Sequence, residues 1–416
     1  MDIADRSMPP FLRRRVLPTL TAALAVGALL TTGTAQSTPS SPAQRTSPVV
    51  TWAASTDLIA PAATQDRTYR LVVRTSVGGS ALRIRLSNAF GDQPVTFGRA
   101  FAGLRASGAA LVPGSNRPLS FGGSPTVTVP PGGTVYSDPL PGTVRAQSDL
   151  AVSLYVQRAA GRATGHKLAL QTSFVAPAGD HSADDAATAY TERTGSWFYL
   201  DAAVVSARRG TGAVATLGDS ITDGSRSTAD TNRRWPDFLA RTLQDDPRSG
   251  IKGVANEGIS GNKVLTDGSG QSTLKRLDRD VLSQRGLRTV VLLEGINDIK
   301  ATPAPTAADM IAAYRQIITR SHTAGVCVVG ATVMPYEGWR EWTPGGEAVR
   351  QEVNAFIRSS GAFDEVVDFD ATVKDPAAPA RILPAYDSGD HLHPNDAGMQ
   401  VMAAAVDPGQ LRCSRR

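Results

Sequence analysis

The chain has 416 residues, 41% hydrophobic and 19% charged, a globular balance that excludes a disordered chain and leaves room for two domains. Its formal charge of +5 falls to +3 once residues 1–35, with four arginines and two aspartates, are set aside. No basic cluster is dense enough to call for nucleic acid.

The chain opens on Arg13, Arg14 and Arg15, then an apolar run from Val16 to about Leu30, then small residues at Thr34 and Ala35. This is the order of a secretory signal peptide, with a run too short to span a bilayer comfortably. The expectation is cleavage near Ala35 and a secreted, extracellular product that leaves the membrane. Residues 36–48 (QSTPSSPAQRTSP) read as a disordered Ser/Pro/Thr linker. Two cysteines, Cys327 and Cys413, could pair outside the cell, but neither has a ligand-spaced partner for zinc.

From 49 to 207 short alternating runs are bounded by Gly, Pro or Asn. Arg70–Ser76 and Ala81–Ser87 flank Gly78-Gly79, and Thr126–Val129 and Asp149–Val156 follow. This pattern predicts a β-sandwich accessory domain. After Gly210 strand-length apolar runs alternate with helical patterns over 210–412: Ala213–Leu217, Gly253–Asn256, Thr289–Leu293, Val326–Val333 and Glu365–Phe369. One helix is expected to start at Thr306 with Asp309 completing a capping box, another at Thr343 with Pro344 in its first turn. The fold class is therefore α/β, a parallel sheet with helices on both faces, and ligands bind such sheets at the carboxyl ends of the strands.

Four loops fall at that edge. The first strand runs into Gly218-Asp219-Ser220-Ile221-Thr222-Asp223-Gly224, where Ser220 could be a nucleophile or simply the cap of the next helix. A serine needs an imidazole to take its proton, and the imidazole needs a carboxylate to orient it. Of five histidines, His391 and His393 lie between the fifth strand and the last helix, with Asp390 three residues before His393. The loops after the second and third strands carry Asn256-Glu-Gly258-Ile-Ser-Gly261-Asn262 and Glu294-Gly-Ile-Asn297-Asp298. Backbone glycine N–H groups and asparagine amides are the uncharged donors that a developing oxyanion requires.

The set GDSITDG, NEGISGN, EGIND and DHLHP resembles the four signature blocks of the GDSL, or SGNH, hydrolase family, over roughly residues 213–406. The resemblance implies a flavodoxin-like α/β/α sandwich and a serine esterase working through an acyl-enzyme, with no cofactor and no metal. It implies Ser220 as nucleophile, His393 as base and Asp390 as the orienting acid. It also implies an oxyanion hole from the Ser220 N–H, Gly261 and Asn297, Gly261 being preferred over Gly258. Trp235-Pro236 and the long β-rich region resemble secreted actinobacterial members, some grouped with xylan-associated esterases.

The expected partner is a small or polymeric ester, acetylated polysaccharide being preferred to the longer acyl chains of a lipase or arylesterase. Tyr336, Trp339 and Trp342 follow the fourth strand and are candidates to line a substrate pocket. Three rival readings are weaker. Gly210-x-Gly212-x-x-Ala215 precedes a strand instead of following one, against a dinucleotide site. A metal held by Asp390, His391 and His393 would leave Ser220, Gly261 and Asn297 without a role, and a carbohydrate-binding protein without catalysis is the rival from another class, separated by ester turnover that Ser220→Ala abolishes.

Overall fold

The computed structural model describes residues 45–59 and 65–412. The expected signal peptide, most of the linker and Cys413 lie outside those residues.

The region before Gly210 forms two main antiparallel sheets. Strands β1 (Thr46–Ala53), β3 (Gly79–Ser87) and β7 (Leu200–Arg208) lie in one, in the order β1-β7-β3. Strands β2 (Arg67–Arg74), β4 (Val95–Ser107) and β5 (Asp149–Arg158) lie in the other, in the order β2-β5-β4. A short strand, β6 (Ala163–His166), belongs to a third, three-stranded sheet. Phe97 of β4 meets Tyr199, just before β7, edge to face at 5.4 Å, so the two main sheets share one core. Thr46, Ser47 and Pro48, read from composition as linker, pair with Arg208, Ala207 and Ser206. Their Ser/Pro/Thr character hid a strand because β7 supplies the ladder from far along the chain.

After Gly210 five parallel strands follow: β8 (Gly212–Gly218), β9 (Ile251–Gly258), β10 (Leu287–Leu293), β11 (Cys327–Ala331) and β12 (Glu365–Val367). Their spatial order is β9-β8-β10-β11-β12. Counted from the first parallel strand this is 2-1-3-4-5, the doubly wound order. The fold of this part is α/β. Parallel crossovers are right-handed, so reversing direction after the second strand puts α2 (Trp235–Asp245) on the face opposite α5 (Ala307–Thr323) and α6 (Pro344–Ser359). Both expected helix starts are present: Thr306 Oγ1 accepts from Asp309 N–H, and Thr343 caps α6 with Pro344 in its first turn. The last strand is shorter than its apolar run. Phe369 already opens a helical turn, α7 (Phe369–Val373), because the Asp368 side chain caps it.

Among the described residues the antiparallel and parallel regions fall in one compact unit. The strands β7 and β8 are joined by a tight turn closed by Thr211 N–H donating to the Arg208 carbonyl, 3.0 Å. Ala54, just past β1, pairs with Asn256 in β9, and Val254 N–H donates to Ser76 Oγ. The antiparallel region thus covers the edge strand of the parallel sheet, an edge that would otherwise expose unpaired backbone. Gly253 makes this approach possible: a Cβ there would stand 2.3 Å from the Val50 carbonyl oxygen.

Candidate active site

The reversal of strand order falls between β8 and β10, and in sheets of this order ligands bind outside the carboxyl ends of the strands at that point. Strand β8 ends at Gly218, and the single turn α1 (Ser220–Asp223) begins two residues later. The cap of that turn is Asp219, whose Oδ1 accepts from Ile221 N–H at 2.9 Å. Ser220 is therefore not spent on capping. Its Oγ lies 2.8 Å from Nε2 of His393.

His393 reaches this position from the loop ahead of helix α8 (Asp396–Ala404), whose N-cap is Asn395. Asp390 Oδ1 accepts from the backbone N–H groups of Leu392 and His393, and Oδ2 lies 2.9 Å from His393 Nδ1. A carboxylate cannot donate, so Nδ1 carries the ring proton and Nε2 presents its lone pair to Ser220. Burial lowers the pKa of His393 against the raising effect of Asp390, keeping the ring neutral near pH 7. Burial would raise the Asp390 carboxyl, but the hydrogen bonds from His393 outweigh it and hold it well below the usual carboxylate range. Arg226 adds a fourth contact, Nε to Asp390 Oδ2 at 3.0 Å. His391 turns the other way, its Nδ1 2.7 Å from Asp387.

The loop after β9 is held from several sides. Asp223 Oδ2 accepts from the Ser260 N–H and hydroxyl at 2.9 and 2.6 Å. Asp298 accepts from Val264 and Leu265 N–H, so it braces this loop and not only its own. Asn297 sits in a single helical turn, α4 (Ile296–Ile299), and one amide hydrogen goes to the Asn262 carbonyl at 2.9 Å. Its second amide hydrogen is left for another acceptor. Gly258 N–H donates to the Asn256 side chain, whereas Gly261 sits at φ +81° in a turn closed by Asn262 N–H on the Ile259 carbonyl. That φ suits glycine, and a Cβ there would meet Ser269 Oγ at 2.7 Å.

A hydroxyl on a neutral imidazole backed by a carboxylate can attack a carbonyl carbon, and amide donors nearby can take the oxygen's charge. Residues 216–401 match the model of the GDSL-like lipase/acylhydrolase family. This part of the chain is a GDSL-family domain. Its activity class is carboxylic ester hydrolase. Among solved structures, a carbohydrate acetylesterase from Sinorhizobium meliloti is 18% identical, with 47% of this chain and 96% of that one covered at a TM-score of 0.39. An acetylxylan esterase from Geobacillus stearothermophilus is 24% identical, with 47% and 91% covered at a TM-score of 0.37. No curated protein matches significantly.

Beneath the nucleophile turn of the GDSL domain lies a polar network that sequence reading missed. Arg276, the last residue of the short helix α3 (Thr273–Arg276), is fully buried. Its guanidinium donates to the Gly218 and Glu257 carbonyls, Asn262 Oδ1 and Ser55 Oγ, all at 2.8–2.9 Å. Glu294 lies 3.8 Å from it, and burial, reinforced by the Asp219 charge, raises that carboxyl well above the usual range. Asp219 itself is pushed up to about 7 by burial. A lone arginine in a polar segment carries no sequence signal of such a role.

The expected aromatic lining separates into two kinds. Trp339 meets His393 edge to face at 5.9 Å and lies beneath the Lys300 ammonium at 4.9 Å. Tyr336 is fully buried, packed where a Cβ on Gly346 would stand 2.3 Å from its hydroxyl, so it offers no surface to a substrate. The position of Tyr336 at the functional edge is real, but the chain turns its ring inward under α6. Trp342 is half-buried against the core.

Proposed function

We propose that the protein is a secreted serine esterase that cleaves short acyl esters through an acyl-enzyme, with acetyl groups on extracellular polysaccharide as the preferred substrate. In this reading the antiparallel region is a β-sandwich accessory to the GDSL domain. The observation that carries the proposal is the unbroken chain Ser220 Oγ–His393 Nε2–His393 Nδ1–Asp390. His393 takes the serine proton as Oγ attacks the ester carbonyl, then returns it to the leaving alcohol. Water repeats the cycle on the acyl-enzyme, while Asp390 holds the tautomer and stabilises the imidazolium. The Ser220 and Gly261 N–H groups and the second Asn297 amide hydrogen receive the oxyanion.

Support for a sugar-bearing alcohol is the indole of Trp339 beside His393, because aromatic faces stack on sugar rings. The test compares acetate release from acetylated xylan with hydrolysis of nitrophenyl esters of increasing chain length. Acetate release and a preference for the shortest esters are expected. Activity confined to long chains with no acetate released would replace this substrate by a lipid.

Asn297→Ala should lower kcat about 10²- to 10³-fold on a short ester, the usual cost of one lost oxyanion donor. Because the same amide ties Asn262, Asn297→Asp is the companion variant, with an acceptor in place of the donor. Full activity in both would remove Asn297 from the oxyanion hole.

A further inference from the structure

The antiparallel region contributes no residue to the four signature loops, yet it places His166, the last residue of β6, against the GDSL domain. His166 is buried. Its Nδ1 lies 2.8 Å from the Ser55 carbonyl, and its Nε2 lies 3.0 Å from Asp223 Oδ1 and 3.1 Å from the Leu168 carbonyl. All three neighbours are acceptors only. A neutral imidazole has one N–H and one lone pair, and either tautomer would aim that lone pair at an oxygen. The contacts are therefore those of an imidazolium paired with the Asp223 carboxylate.

The other oxygen of Asp223 is the one that holds Ser260 by both its N–H and its hydroxyl. Ser260 directly precedes Gly261. We propose that His166 is a positioning residue for the oxyanion loop: its imidazolium pairs with Asp223, Asp223 grips Ser260, and that grip sets the direction of the Gly261 N–H. This rests on the esterase reading above. The antiparallel region then completes the active site from a distance, through a charge, and is more than an accessory.

The charge also makes the device sensitive to pH. Burial alone would lower the His166 pKa, but Asp223 outweighs it and the pKa is raised from the ordinary imidazole value. Arg234, ahead of α2, opposes the charge, and the Lys167–Asp57 ion pair at 3.1 Å is the other charged neighbour around the same small cavity. A group whose folded pKa is raised contributes its full stabilisation below the unfolded value, and loses it as pH climbs through the folded value. The grip on Ser260 should therefore weaken on the alkaline side.

The experiment measures His166→Gln on a short nitrophenyl ester across pH. The expected result is a kcat lower by roughly 10- to 100-fold with KM within about twofold, the pattern of a displaced catalytic group. The alkaline decline of the wild type should also disappear, since glutamine has no proton to lose. Unchanged kcat, or a lowered kcat with the alkaline decline intact, would overturn the proposal. Should His166→Gln fail to fold, Ser260→Ala leaves the His166–Asp223 pair in place and removes one bond of the grip. It should lower kcat about threefold to tenfold at constant KM, and an unaffected kcat would again overturn the proposal. Nitrogen-15 NMR of labelled histidines gives a reading independent of turnover. Two protonated ring nitrogens on His166 at pH 7 are expected, and a neutral ring sinks the proposal whatever the enzyme hydrolyses. A protonated ring in a protein without ester turnover would instead sink the esterase reading beneath it.

Discussion

Replacing Ser220 by alanine should abolish ester hydrolysis while leaving the protein folded. The expected loss in kcat is roughly 10⁶-fold, the scale seen when a nucleophile and its base act as one unit, and His393→Ala should cost about the same. Stability should change little, because the Ser220 hydroxyl bonds His393 and the cap of α1 is Asp219. Had Ser220 been the cap, its removal would cost about 1 kcal/mol. Denaturation of the variant beside the wild type separates the two roles. The pH profile is a second check on the same pair. Protonated His393 cannot accept the serine proton, so kcat/KM should rise with pH. Burial lowers the pKa of this ring, which puts the acid limb below the ordinary imidazole value of about 6.5. An acid limb well above neutrality would mean that another group governs the nucleophile.

Arg276→Met should produce the largest loss of stability. The arginine is fully buried and ties the Gly218 and Glu257 carbonyls, the Asn262 side chain and Ser55 together. Methionine fills much of the space but takes one donor from each of these four buried oxygens, and removes the cation 3.8 Å from Glu294. Breaking a buried charge cluster from one side costs roughly 3–5 kcal/mol. Arg276→Lys should rescue little, because a single ammonium cannot span acceptors that a planar guanidinium reaches from different edges. Urea titration is the measurement, read as a lower midpoint at unchanged slope. A midpoint within error of the wild type would mean that the network relaxes around water and that Arg276 is not its centre. Any folded fraction should also turn over more slowly, since the Gly218 carbonyl anchors the strand that ends two residues before Ser220.

Features governed by neighbours in sequence were legible in the chain itself. The Thr306–Asp309 and Thr343–Pro344 helix starts are satisfied within one turn, so their residue types announce them. Alternation of apolar strands with helical patterns forces parallel crossovers, and these bring the loops bearing Ser220, Gly261, Asn297 and His393 to one edge of the sheet. The pairing of Asp390 with His393 needs only three residues and was visible for the same reason. What the tertiary structure decided depends on partners far apart. Thr46–Pro48 look like linker until β7 offers them a ladder, and Tyr336 looks available to a substrate until its loop folds inward. Arg276 and His166 carry no mark at all, because a buried charge is defined by the acceptors around it: Gly218 and Ser55 for one, Asp223 for the other. Those acceptors come from strands and turns that meet only when the antiparallel region closes over the edge of the parallel sheet. A buried charge is stable only where such partners converge, so its role is a property of the assembled core and not of any segment.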